Sequence, residues 1–170
     1  TAKLPLTGAA LVKFGVPEDF KATGTLPADV TYTETGDHLA TLLFKGDITP
    51  TGFAVPTAGY EKIAGVPGTL DFFMHFKDGK PAQVSSLNLV TEKASLKGDI
   101  EFTSDASGAT SLKNVALTEV KLGDTDVAVS GGNNANGEYA LKITGRQLDI
   151  SKLLEGNDRP NSDEEAAKPV

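Results

Sequence analysis

Apolar and polar side chains alternate with a period of two through most of this chain. Leu70, Phe72, Met74 and Phe76 recur at every second position and stop at the turn sequence Lys77-Asp78-Gly79-Lys80-Pro81. Successive side chains of a strand point to opposite faces. The spacing therefore predicts a strand with Leu70, Phe72, Met74 and Phe76 on one face and Phe73 and His75 on the other. Leu87 and Leu89 follow. Ala94, Leu96, Ile100 and Phe102 form the next set, closed by Ser104-Asp105-Ala106-Ser107-Gly108. Val115 and Leu117 alternate, and Val120 and Leu122 continue on the opposite parity. A slip of one residue reverses the faces, so a bulge or bend is expected near Thr118-Glu119. Val127 and Val129 lead into Gly131-Gly132-Asn133-Asn134-Ala135-Asn136-Gly137, from which Tyr139, Leu141 and Ile143 return. The closing Asn-Gly favours a hairpin because both residues tolerate positive φ.

The first half reads the same way with less regularity. Val30 and Tyr32 precede a turn at Thr35-Gly36-Asp37, and Leu39, Thr41 and Leu43 return from it. Phe53-Ala54-Val55 reads as a short strand before Pro56, and Ala58 to Gly65 as a loop or an irregular helical turn. Strands at intervals of about ten residues with tight turns imply consecutive antiparallel pairing, a meander. Two short helical pieces are expected to bracket the sheet. Thr7 stands as an N-cap before Gly8 to Phe14, and Ser151 as a cap before Lys152-Leu153-Leu154, with Gly156 as terminator.

Composition narrows the classes. The 170 residues are enough for one ordinary domain and contain no cysteine, which removes disulfides and thiolate metal sites. Apolar runs are only a few residues long, so no transmembrane helix is predicted, and no secretory signal pattern opens the sequence. The formal charge is −7. Residues 155–170 hold five acids against two bases and contribute −3, which leaves −4 elsewhere. No cluster of Lys and Arg exists to hold a phosphate backbone, so nucleic acid is not an expected partner. The last stretch is polar and charged and carries two prolines, and it reads as a linker or disordered tail over 157–170.

Candidate chemistry is thin. Glu34, Asp37 and His38 offer metal-ligand atoms but sit together in one predicted hairpin turn, and Asp124 and Asp126 lack the Gly and acidic continuation of a calcium loop. Solvated turn residues account for both groups, so no metal and no cofactor are expected. His75 is expected to face away from Met74 and Phe76, with no nearby Ser or Cys nucleophile. Asp47, Asp71 and Asp99 follow strand residues without pairing as acid and base. No GxSxG, HExxH or phosphate-cradling glycine motif occurs. The chain is not expected to be an enzyme.

Four stretches between Tyr60 and Leu154 carry a resemblance: GYEKIAGVPGTLDFFMHFKDGKP, KASLKGDIEF, LKNVALTEVKLGDTDVAVS and ITGRQLDISKLL, with TGTLPADVTY upstream. Together they resemble the AsmA-like proteins of Gram-negative bacteria, in particular the branch that includes the YhdP-like proteins. The resemblance implies a segment of a long periplasmic chain, held in the inner membrane by an N-terminal helix that this sequence lacks. It implies strongly bent antiparallel sheets stacked into an apolar groove, and a role in moving phospholipid between inner and outer membranes.

On that reading the chain is mostly β, a strongly bent antiparallel meander with an apolar concave face and short helical pieces near each end. Residues 1–156 form one groove module. Its lining is Leu70, Phe72, Met74, Phe76, Leu87, Leu89, Leu96, Ile100 and Phe102, and its expected partners are phospholipid acyl chains and neighbouring modules of the same chain. The run LKITGRQLDISKLLEG becomes a module junction: Gly145 permits a bend, and Leu148, Asp149, Ile150, Leu153 and Leu154 close the sheet end. The competing expectation is a non-enzymatic structural or assembly module of the envelope that acts through protein contacts, edge-strand pairing among them.

Overall fold

The computed structural model describes residues 2–5, 21–55, 59–105, 108–134 and 137–148. Among them are eleven strands and no helix. In chain order these are β1 (Ala2–Pro5), β2 (Lys21–Glu34), β3 (Leu39–Asp47), β4 (Thr51–Val55), β5 (Tyr60–Lys62) and β6 (Gly68–Lys77). They continue with β7 (Lys80–Thr91), β8 (Ala94–Ser104), β9 (Thr110–Leu122), β10 (Thr125–Asn133) and β11 (Tyr139–Gln147). The two expected helical pieces and the 157–170 tail lie outside the described residues.

All eleven strands belong to one antiparallel sheet, in the order β11-β10-β9-β8-β7-β6-β3-β2-β4-β5 with β1 added on β2. It curls into a half-barrel. From β6 to β11 the chain is the expected meander. Before β6 the order departs from it, because β3 pairs β6 directly and β4–β5 form an excursion between them. The cause is the length of β2. Its fourteen residues serve three partners, with Ala28–Glu34 on β3, Thr25–Ala28 on β1 and Lys21–Gly24 on β4. Gly46 stands opposite Ala28 and Thr51 opposite Gly24, so β4 resumes along β2 where β3 ends, after the turn at Ile48–Pro50. The stretch expected as a loop or helical turn instead contributes β5, beside β4.

That turn is held by an internal cation. Lys62 is 2% exposed, and its Nζ donates hydrogen bonds of 2.7 Å to the carbonyls of both Ile48 and Thr51. Burial pushes the ammonium pKa below its ordinary value, against the opposing pull of Asp47. Asp47 in turn accepts from the Thr49 backbone N–H at 2.8 Å.

Cross-strand register keeps the apolar positions on one face. One row runs Ala28, Gly46, Leu70, Leu89, Leu96, Val120, Val127, Gly145 from β2 to β11. A second runs Tyr32, Leu42, Met74, Val84, Ile100, Val115, Gly131, Leu141. Among the described residues no second layer packs on the sheet, so side chains on this face reach burial only by crowding inside the curl. Leu26, Ala28, Phe44 and Ile48 make the buried cluster, with Leu42, Phe53, Leu70, Phe72 and Leu89 against it. The face with the apolar rows is therefore the concave one.

The strand β3 corrects one expectation. Its concave residues are Ala40, Leu42 and Phe44, paired with Phe76, Met74 and Phe72, while Leu39, Thr41 and Leu43 face out with Lys77, His75 and Phe73. The run Leu42-Leu43-Phe44 is apolar on both parities, and only pairing decides its inward side. The bulge expected near Thr118-Glu119 is present: Val120 pairs Val127, yet Leu117 pairs Val129. A further one at Ser85–Ser86 in β7, with Ser86 at φ 53°, brings Val84 onto the concave face beside Ile100.

Candidate functional site

The site is the concave face itself. Leu70, Phe72, Met74 and Phe76 project from β6 into it, with Phe73 and His75 on the other side, as the alternation predicts. Leu87 and Leu89 from β7, and Leu96, Ile100 and Phe102 from β8, join the same face. All nine are half-buried. Phe44 and Phe72 stack with ring centroids 4.9 Å apart and planes 13° from parallel, and Tyr32 meets Phe76 at 6.5 Å.

Burial is even through the middle of the curl and drops at its rims. Phe44 is 7% exposed near the β2–β3–β6 end, and Val84, Val115 and Val127 stay below 9%. At the rims the same face opens: Tyr32 is 58% exposed on β2, while Tyr139, Leu141 and Ile143 on β11 are all about half exposed. Leaving large apolar side chains wet along a continuous face is unfavourable by about 25 cal/mol for each Å² of apolar surface. A contiguous patch of this kind marks a surface that meets an apolar partner.

Several lining residues escaped the sequence reading. Leu42 and Phe44 were hidden by a run apolar on both parities. Val84 was hidden by the bulge that follows it. Val115, Leu117, Val120, Val127 and Val129 alternate visibly in the sequence, and their register with β8 carries the face onward to β11. The glycines set how far it curls. Gly98 and Gly131 have φ of 149° and 141°, and a Cβ on either would lie 2.2 Å from the Ala116 carbonyl oxygen or 2.0 Å from that of Ala140. Strands can approach this closely only where no side chain intervenes.

At the expected junction, Gly145 sits where β11 shifts register: Val127 pairs Gly145 while Asp126 pairs Gln147. The extra residue is Arg146. Leu148 follows the strand at 46% exposure. Asp149, Ile150, Leu153 and Leu154 lie outside the described residues.

The convex face is mixed: Leu39, Phe73 and Val90 stand exposed on it, beside polar groups that are hydrogen-bonded to one another. Glu119 accepts from Ser95 and from Lys97 and Lys121, an arrangement that holds its carboxyl pKa at about 2. Lys113 pairs with Glu101 at 3.0 Å. His75 corrects an expectation: Ser85, brought across from β7, lies 2.7 Å from its Nε2, and Thr41 lies 3.3 Å from its Nδ1. The expectation failed because these residues are ten and thirty-four positions away in sequence. Among the described residues the second ring nitrogen of His75 meets Thr41, not a carboxylate. The Ser86 backbone N–H beside Ser85 already donates to Asp99 Oδ1 at 2.9 Å, and the Ser85–His75 pair lies on the outer face of the curl. Glu34, Asp37 and His38 occupy the β2–β3 turn, Asp37 and His38 at positive φ. No group of three or more potential metal ligands converges among the described residues.

No protein-family model, curated protein or solved structure matches the chain.

Proposed function

We propose that this chain is a segment of a cell-envelope protein whose concave face is a groove for phospholipid acyl chains, serving lipid transport between inner and outer membranes. The observation that carries the proposal is the continuous apolar face from β2 to β11, partly exposed at many of its large side chains, about half exposed on β11, and uncovered among the described residues. A one-layer sheet must bury its apolar side on another layer or on a ligand. Acyl chains suit it because they need few polar contacts, and the lining supplies almost none. The resemblance to AsmA-like proteins supports the same reading, in which the full protein stands in the periplasm, anchored to the inner membrane, with neighbouring modules extending the groove. The reading is non-enzymatic. A structural or assembly module acting through protein contacts is the second reading, favoured by the open edge of β11.

The test is capture of a photo-crosslinkable phospholipid by the purified chain. Crosslinks should map to Leu70, Phe72, Met74 and Phe76, and Met74→Glu should reduce them, since an unpaired charge in an apolar groove costs several kcal/mol. Thr33→Glu, on the exposed convex face, is the control. Met74→Glu protein that remains folded by circular dichroism and captures lipid as well as the parent would count against the groove.

A further inference from the structure

We propose that the outer edge of β11 is a docking site for an extended protein segment in which apolar residues alternate with acidic ones. The inference is independent of what the groove holds. Among the described residues β11 ends the sheet and pairs with β10 alone, and all nine of its residues are exposed. At the other end of the sheet stand the three-residue β5, in which Lys62 is already buried, and the Asp29–Glu34 part of β2, whose two charged residues are both acids. An edge strand presents a row of backbone N–H and C=O groups ready to accept another strand.

The side chains specify what that strand should carry. On the concave side Tyr139, Leu141 and Ile143 continue the apolar rows to the rim, about half exposed. A docking strand with apolar residues at every second position would extend these rows. Lys142 stands on the convex side opposite Ser130, and Arg146 at the bulge beside Gly145. Neither forms an ion pair among the described residues, and the run from Tyr139 to Leu148 contains no acid. Of the two acids that flank the run, Glu138 is held by Asn134 Nδ2 at 3.1 Å and Asp149 lies outside the described residues. The strand is thus a cationic rim on a chain of net charge −7. A second copy pairing through β11 would bring only cations against cations, and like charges across paired strands are destabilising. Acidic residues between the apolar ones turn that repulsion into attraction, so the same two side chains exclude self-pairing and select the partner.

The test uses the whole chain and a fluorescein-labelled nine-residue peptide alternating valine with glutamate, read by anisotropy. The valine–glutamate peptide should bind, and a valine–lysine peptide should bind at least about tenfold more weakly, since like-charge juxtaposition costs several kcal/mol and each 1.4 kcal/mol is a factor of ten. The double variant Lys142→Glu/Arg146→Glu should reverse the preference. Backbone N-methylation of the valine–glutamate peptide keeps its side chains and charge but removes its strand donors, and should abolish binding. Equal binding of both peptides, an unchanged preference in the double variant, or tight binding of the N-methylated peptide would each overturn the proposal. Self-association of the chain that Ile143→Lys abolishes and the peptide cannot compete would assign the edge to a second copy, and would overturn it as well.

Discussion

Gly98→Ala tests whether glycine contacts hold the curl. Gly98 has φ of 149°, a conformation that only glycine adopts without strain, and an added Cβ would stand 2.2 Å from the Ala116 carbonyl oxygen and 2.6 Å from Leu117 Cα. The backbone strain alone costs about 1–3 kcal/mol. The contact is with backbone on both sides, so no side chain can rotate away; β8 and β9 must separate, weakening ladder hydrogen bonds worth about 0.5–1.5 kcal/mol each. With one or two bonds affected, the expected loss is about 2–6 kcal/mol, against a typical total of about 5–15 kcal/mol. Gly123→Ala is the matched comparison. Gly123 also has positive φ, 56°, but nothing lies within 4 Å of its would-be Cβ, so it should lose only the left-handed backbone cost, about 1 kcal/mol. Urea unfolding reads both. With m of about 1–3 kcal/mol/M, Gly98→Ala should move the midpoint down by about 2 M and Gly123→Ala by about 0.5 M. Equal shifts for the two variants would refute the argument that close strand approach at Gly98 maintains the curl.

Three further outcomes follow from the geometry. The carboxyl of Glu119, held at about 2 mainly by Ser95 and then by Lys97, should titrate well below the ordinary 4.5 in carbon-detected NMR, and Ser95→Ala should raise its pKa. Because the folded pKa is depressed, its contribution to stability should be complete above about pH 4.5 and be lost as pH falls through about 2. Lys62→Met should destabilise by about 2–4 kcal/mol in urea unfolding, since the carbonyls of Ile48 and Thr51 lose a charged donor while buried; a variant as stable as the parent would remove Lys62 from the account of the turn. Ser85 should stay unlabelled by a fluorophosphonate probe, as the Ser86 N–H beside it is already given to Asp99 and not to a developing oxyanion; labelling abolished by His75→Ala would show an active nucleophile there.

Much of the sheet was legible because a period of two is a direct record of which side each residue faces. Leu70 to Phe76 could be oriented from sequence, and the parity change between Leu117 and Val120 disclosed the bulge at Thr118. The same logic failed where the pattern carried no information. Leu42-Leu43-Phe44 is apolar on both faces, and Ser85-Ser86 is polar on both, so neither inward side nor bulge could be read. Pairing order was legible only where turns were short. The long β2 takes β3 and β4 end to end along its length, and no local signal announces a strand with three partners. The Ser85–His75 contact was invisible for a related reason, since it depends on the register of β6 against β7, which that bulge resets.

A sheet of a single layer also has a calorimetric consequence. The heat-capacity increment of unfolding comes chiefly from apolar surface newly exposed to water, about 12–15 cal/mol/K per residue for proteins with closed cores. Here the residues from Leu70 to Phe76 are already partly wet in the folded state, and Leu141 and Ile143 about half so. The empty chain should therefore unfold with a smaller increment per residue and a flatter stability curve, tolerating cold better than its modest core suggests. Filling the curl with hydrocarbon would restore the missing increment, so the curvature of stability against temperature becomes a gauge of how much of the face is covered.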